Sequence, residues 1–186
     1  MGVRPTPFAV GYTNANIYRP VTAISEYQRV TALPLGRSQY LARMAHPDSA
    51  VLVALLPHRP PFRFVDEVDE IDPGGSVVAR YRVTVNEDFL GGHFPDNPVF
   101  PGVIQLEALA QTGAIGVLAD SRYTGKLPLF GGVEKVRWRR LVRPGDELLM
   151  AVTLERLSAR GGWGSARATV EGDVACEARL FFAIAG

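Results

Sequence analysis

A chain of 186 residues, 47% of them hydrophobic, can close one good-sized core, which fits a single domain carrying an extension. Its formal charge of +1 gives no global attraction to nucleic acid or to an anionic membrane, so any charged partner must be met by a local patch. The one cysteine, Cys176, excludes an intramolecular disulfide and a zinc-finger ligand set, and fits a reducing, cytoplasmic setting.

Residues 1–47 hold five arginines and a single acid, Glu26, without clear helical or strand periodicity. An Arg-rich, acid-poor start also resembles an organellar transit peptide. The aromatic anchors in YTNANIYRP instead predict an ordered arm packed on the body or on a neighbouring subunit, with no visible chemistry. The opening MGVRPT fits an N-myristoylation pattern with three free positions and is given no weight.

The domain proper is expected over 48–186. In DSAVLVALLPHRPPF, Asp48 or Ser49 caps a short helix running to Leu56, which Pro57, Pro60 and Pro61 stop. FRFVDEVDEI and SVVARYRVTV read as strands separated by the turn signal DPGG. A helix from Pro101 to Ala119 follows, ~27 Å long at the usual rise. Val103, Ile104, Leu106, Leu109, Ile115, Val117 and Leu118 occupy nearly all its faces, which predicts an enclosed helix. Gln105, Glu107, Gln111 and Thr112 interrupt it, and it falls short of the ~20 apolar residues of a bilayer span, so no membrane insertion is expected. Four further strands are expected in LPLFGGVEKVRWRR, ELLMAVTLERL, GSARATVEG and VACEARLFFAI. The breaks RPGD, ARGG and EGD read as hairpins, hence a mostly antiparallel sheet. Cys176 alternates with Val174 and Ala178 on a strand face and reads as an inert packed residue. About six strands around one central helix make the class α+β.

The chemistry concentrates in GGHFPDNPVFPGVIQLEALAQ, residues 91–111. Pro98 and Pro101 fix the approach to the helix, with Pro101 at its first position. Gly102 lets another group approach the backbone, and the free amides there suit an oxygen gaining negative charge. Glu107 lies about a turn and a half inside the helix, where apolar surroundings favour the protonated acid. Gln111, one turn on, shares its face and is placed to hold the carboxyl by a hydrogen bond. His93 supplies a base near neutral pH. Base, acid and oxyanion donor together describe elimination of water next to a carbonyl, with no metal or redox cofactor required. From spacing alone, His93 as an ordinary surface residue and Glu107 as an interface ion-pair partner remain open.

At these residues the chain resembles the FabZ family of β-hydroxyacyl-acyl-carrier-protein dehydratases. The similarity runs through LPHRPPFRFVDEV, VTVNEDFLGGHFPDNPVFPGVIQLEALAQ, GGVEKVRWRRLVRPGDEL and VEGDVACEARLFFAI, nearly all of residues 55–186. It implies a hotdog fold, with the sheet wrapped around the helix. It also implies a homodimer with shared active sites, His93 from one subunit and Glu107 from the other, and a trimer of dimers as a further assembly. His93 would take the α-proton, oriented by the Val99 carbonyl, while Glu107 protonates the departing hydroxyl and the Gly102 amide holds the thioester carbonyl. The substrate implied is a (3R)-3-hydroxyacyl chain on the phosphopantetheine of an acyl carrier protein, with no cofactor of the enzyme's own. Such carriers are acidic, which gives a docking reading for Lys135, Arg137, Arg139, Arg140 and Arg143. A solvated strand edge protected by charge is an equal reading for any one of them. Phe100, Phe130 and Trp138 are candidates for a substrate tunnel and equally for core.

Two departures stand out: Asp96, where the family commonly has glycine, and the long arm. Asp96 is expected either to face solvent or to act on His93 at the tunnel mouth. Arginine outnumbers lysine eighteen to two, which together with the arm keeps polyketide or other secondary metabolism beside fatty-acid synthesis. Related dehydratase-isomerases usually carry Asp where Glu107 stands, which favours simple dehydration. The alternatives are a hotdog thioesterase and a catalytically silent acyl-binding partner of a synthase.

Overall fold

In the computed structural model, which describes residues 48–186, the chain begins with the short helix α1 (Ser49–Ala54). Asp48 caps it, its Oδ1 accepting from Ala50 N–H at 3.0 Å. The helix stops two residues before the expected Leu56, because the Leu55 and Leu56 amides close back on Leu52 and Val53 in a tighter turn. The arm expected over 1–47 lies outside the described residues.

Strands β1 (Glu67–Asp72) and β2 (Ser76–Arg82) pair antiparallel across the expected turn. β1 starts later than the expected Phe62. Residues 62–64 turn away because the Phe64 N–H is taken by the side chain of Gln111, a partner outside the sheet. β2 ends at Arg82 rather than Val85, and the Thr84 amide and hydroxyl then both donate to Glu87 Oε1.

Helix α2 (Gly102–Ala119) is preceded by β1 and β2 and followed by β3 (Leu127–Trp138), β4 (Glu147–Ser158), β5 (Gly161–Val170) and β6 (Asp173–Ala185). Pro101 is its N-cap, one residue outside the position expected of it. Fourteen of its 18 residues are buried, as an apolar circumference demands, although Val103 points outward at 67% exposure. The helix is therefore clad by the protein's own sheet. Gly113 allows the closest approach: a Cβ there would fall 2.4 Å from the Phe182 ring. Only glycine lets α2 sit this close to β6 without displacing that ring.

All six strands form one antiparallel sheet in the order β1-β2-β4-β5-β6-β3. The ARGG and EGD breaks are hairpins, joining neighbours β4–β5 and β5–β6. RPGD is not, contrary to its sequence reading. β3 and β4 are not neighbours, so residues 139–146 carry the chain across the fold. What holds this crossover is long-range: Phe100 N–H donates to Val142 C=O at 2.8 Å and Val83 N–H to Asp146 C=O at 3.0 Å. β3, paired only with β6, is left as a sheet edge with Leu129, Phe130, Val133 and Trp138 exposed along it. The sheet around a central helix is the hotdog arrangement that the resemblance implies.

Candidate active site

The loop before α2 is tied to itself and to the crossover. Val99 N–H donates to His93 C=O at 3.0 Å and Asn97 N–H to Phe94 C=O at 3.0 Å. Arg143 Nη1 donates to Asn97 Oδ1 at 2.6 Å and reaches the Pro98 carbonyl at 3.4 Å. His93 is half-buried, stacked on Phe94, and its Nδ1 lies 2.8 Å from the Val99 carbonyl. A carbonyl only accepts, so Nδ1 carries the proton and the neutral imidazole keeps its lone pair on Nε2. The orienting contact implied for Val99 is present.

Glu107 lies on α2 in a cleft of about 250 Å³ whose walls include Pro57, His58, Gln111, Phe130 and Phe182. The carboxyl is not enclosed by apolar groups, as the sequence suggested. Its side chain is 18% exposed and its Oε1 accepts from Gln111 Nε2 at 2.9 Å. The Gln111 amide is also a clamp, accepting from Phe64 N–H at 2.8 Å and donating to the Phe62 carbonyl at 3.2 Å. Those partners leave only one orientation of the amide, oxygen to Phe64 and nitrogen to Glu107. Sequence reasoning found the bond to Glu107 and missed the other two.

It also missed His58, on the turn after α1. His58 Nε2 stands 3.5 Å from Glu107 Oε1, while Nδ1 is buried without a partner among the described residues. Burial lowers its pKa most, and Arg59 lowers it further against the opposing pull of Glu107. The motif LPHRPPF was visible, but nothing in its spacing points to a residue 49 positions away.

His93 is not among the residues lining the Glu107 cleft. The two candidate catalytic groups are thus presented separately by one chain, each held by its own local partners. The N–H groups of Gly102 and Val103 have no acceptor among the described residues and remain available at the head of α2. The group that approaches Gly102 is Trp138: its Nε1 donates to Gly102 C=O at 3.0 Å, and a Cβ on Gly102 would fall 2.6 Å from that nitrogen. Phe130 lines the cleft. Phe100 is fully buried among Phe64, Tyr81 and Phe89, which is the core alternative of its two readings.

The basic run divides. Arg139 pairs with Glu177, and Arg140 meets Asp146, Glu171 and Asp173 and donates to the Val170 carbonyl. Arg143 holds the His93 loop. Lys135, at a bulge of β3, and Arg137 are exposed and make no ion pair among the described residues. Asp96 is exposed and unpaired among those residues as well, the first of its two expectations. Cys176 is fully buried and its thiol is pushed up to about 11 by burial, in keeping with an inert residue. The described residues hold no cluster of metal-ligating side chains.

The model of the FabA-like domain matches residues 56–179, two thirds of the sequence. The chain belongs to this family. Among FabA-like relatives, the 3-hydroxyacyl-[acyl-carrier-protein] dehydratase FabZ of Oenococcus oeni is 53% identical over 130 residues, 70% of this chain and 94% of that one. FabZ of Chloroflexus aggregans is 50% identical over 133 residues, covering 72% and 92%. The resemblance read from the motifs is thereby borne out. Two solved structures share the FabA-like fold at low identity. The dehydratase heterocomplex ApeI:P from Xenorhabdus doucetiae has a TM-score of 0.50 at 18% identity, over 61% of this chain and 92% of that one. A hypothetical thioesterase with coenzyme A from Streptococcus pneumoniae has 0.51 at 15%, over 64% and 85%. At such identities the structural likeness carries the hotdog architecture alone.

Proposed function

We propose that the protein is a (3R)-3-hydroxyacyl-[acyl-carrier-protein] dehydratase that eliminates water to give the trans-2-enoyl thioester. Half-identity to FabZ dehydratases over nearly their whole length supports the reaction. The observation that carries the mechanism is the 2.8 Å contact of His93 Nδ1 with the Val99 carbonyl, which leaves Nε2 as a base, with Glu107 held in a separate cleft. His93 Nε2 takes the proton from the α-carbon; the β-carbon–oxygen bond breaks as Glu107 gives its proton to the leaving hydroxyl; the electron pair becomes the α,β double bond. The amides at the head of α2 stabilise the enolate-like oxygen of the thioester. The proton on His93 is returned to Glu107 before the next turnover. No net electron transfer occurs, and the acyl chain arrives on phosphopantetheine, so the reading needs no cofactor of the enzyme's own.

The separation of His93 from the Glu107 cleft supports a site completed by a second copy of the chain. The exposed apolar residues on the free edge of β3, with Val103 beside the head of α2, are the surface such a dimer would cover. An acidic carrier protein would dock on Lys135 and Arg137, the basic side chains of the run that neither form an ion pair among the described residues nor hold the His93 loop.

The test is incubation with 3-hydroxyacyl carrier protein, followed by mass. Loss of water with the wild type and none with His93→Ala supports the dehydratase; release of free acid would replace it with a thioesterase; an unchanged substrate would leave an acyl-binding protein. Mixing His93→Ala and Glu107→Gln subunits should restore about a quarter of wild-type activity, since half of the dimers regain one complete site. No recovery after verified subunit exchange would overturn the shared site.

A further inference from the structure

We propose that His58 is a positioning residue for Glu107, fixing which carboxyl oxygen carries the proton that leaves with water. This rests on the dehydratase reading above and adds a residue to it.

Glu107 has two oxygens with different surroundings. Oε1 accepts from Gln111 Nε2 at 2.9 Å and faces His58 Nε2 at 3.5 Å; Oε2 has no partner among the described residues. The Gln111 nitrogen is purely a donor, oriented by Phe64 and Phe62. His58 is half-buried, and both the enclosure of its ring and the neighbouring Arg59 favour its neutral form. A neutral imidazole has one N–H. If that proton sat on Nδ1, a donor would be buried without an acceptor, and the Nε2 lone pair would face a carboxyl oxygen. With the proton on Nε2, the electrostatics at Oε1 are favourable and only a weaker-demand acceptor is left unpaired. The Nε2–H tautomer is therefore the one that this site selects. It is opposite to that of His93, where the Val99 carbonyl holds the proton on Nδ1.

Two N–H donors converging on Oε1 saturate it and leave the acidic proton to Oε2, the oxygen free to face a leaving hydroxyl. At 3.5 Å the His58 contact is long for a hydrogen bond, as contacts in unliganded sites often are before substrate closes them. The other charged group facing His58 is Arg59, whose guanidinium is turned back onto the Leu56 and His58 carbonyls at 2.7 and 2.8 Å. The remaining cleft wall near His58 is apolar: Pro57, Ala110, Ala114, Phe130 and Phe182. Among the described residues lining that wall, no second donor is present to replace the imidazole.

The test pairs kinetics with a measurement that needs no turnover. His58→Leu fills the space without a donor and should lower kcat about tenfold with KM for the acyl carrier protein within about twofold, the pattern of an interaction made in the transition state. His58→Gln restores a donor near the Nε2 position and should recover kcat to within about threefold. Equal loss in both variants, or a change in KM alone, would overturn the positioning role. The 15N spectrum of histidine-labelled protein should show His58 as Nε2–H and His93 as Nδ1–H, and Glu107→Gln should shift the His58 resonances. An Nδ1–H tautomer at His58 would overturn the proposal whatever the kinetics. If the wild type loses no water from the substrate, the dehydratase reading falls, and the tautomer alone decides the contact.

Discussion

Gln111→Leu removes three hydrogen bonds at once, and the structure says which of them matter. The Phe62 carbonyl belongs to an exposed residue and can turn to water, as can the partly exposed Glu107 carboxyl. Phe64 is 1% exposed, so its N–H is left as a buried donor without a partner. An orphaned buried donor costs about 1–3 kcal/mol, and the weakened contacts to Glu107 and Phe62 add about 1 kcal/mol, so the fold should lose about 2–4 kcal/mol. For a folding unit of this size that is a drop in Tm of about 5–15 °C. Melting followed by circular dichroism at fixed protein concentration measures it, with accelerated exchange of the Phe64 amide as the local signature. The same change frees Glu107 from its strongest donor, so kcat should fall about tenfold beyond any loss of folded protein. A Tm within about 2 °C of wild type would refute the clamp. A lowered Tm with unaltered kcat would show that Gln111 supports the loop and not the acid.

Three further outcomes follow from the charges. Lys135→Glu with Arg137→Glu should raise KM for carrier-bound substrate about tenfold and leave a small pantetheine thioester unaffected; equal effects on both substrates would sink the docking reading. Arg143→Ala releases Asn97 and the His93 loop, so kcat should fall severalfold with KM for the carrier substrate unchanged, whereas a rise in KM alone would return Arg143 to the docking surface. Burial holds the folded pKa of His58 below the ordinary histidine value of about 6.5, so the unfolded chain takes up the proton first as pH falls. That contribution to stability is intact above about 6.5 and is lost as pH drops towards the lowered folded value. Urea midpoints at about pH 7 and 5.5 should therefore fall more steeply for wild type than for His58→Gln, and parallel changes would remove His58 as the cause.

What was legible in the sequence was what short-range physics writes there. Alternation and turn residues located all six strands, and proline and glycine located the start of α2 to within a residue. Where reading failed, the cause was a contact between distant segments. RPGD has the composition of a hairpin, but the β3 edge is claimed by β6, so the same turn residues end a crossover instead. The strand expected from Phe62 starts at Glu67 because Gln111, 47 residues from Phe64, takes the amide that a sheet would need. The run KVRWRRLVR looked like one basic surface; acids on the β5–β6 turn and on β6 had already engaged Arg140 and Arg139. His58 was hidden for the same reason, since its chemistry exists only once α1 and α2 are packed together.

Glu107 is the clearest case of a right residue reached by an incomplete argument. Its sequence neighbours are apolar, but an α-helix sends neighbours to other faces, and the face of Glu107 opens on a cleft with Gln111 and His58 beside it. The carboxyl is therefore a group oriented by polar partners at the wall of a cavity, and its replacement should separate folding from chemistry. In Glu107→Gln the amide oxygen can take the place of Oε1 and still accept from Gln111, so the loss of stability should stay within about 1 kcal/mol, a few degrees in Tm. The amide cannot give up a proton to a leaving hydroxyl, so water loss should fall by at least about a hundredfold. A variant that melts as low as Gln111→Leu would make Glu107 part of the clamp. One that folds and still dehydrates would remove it as the acid and leave the departing hydroxyl to be protonated by another group.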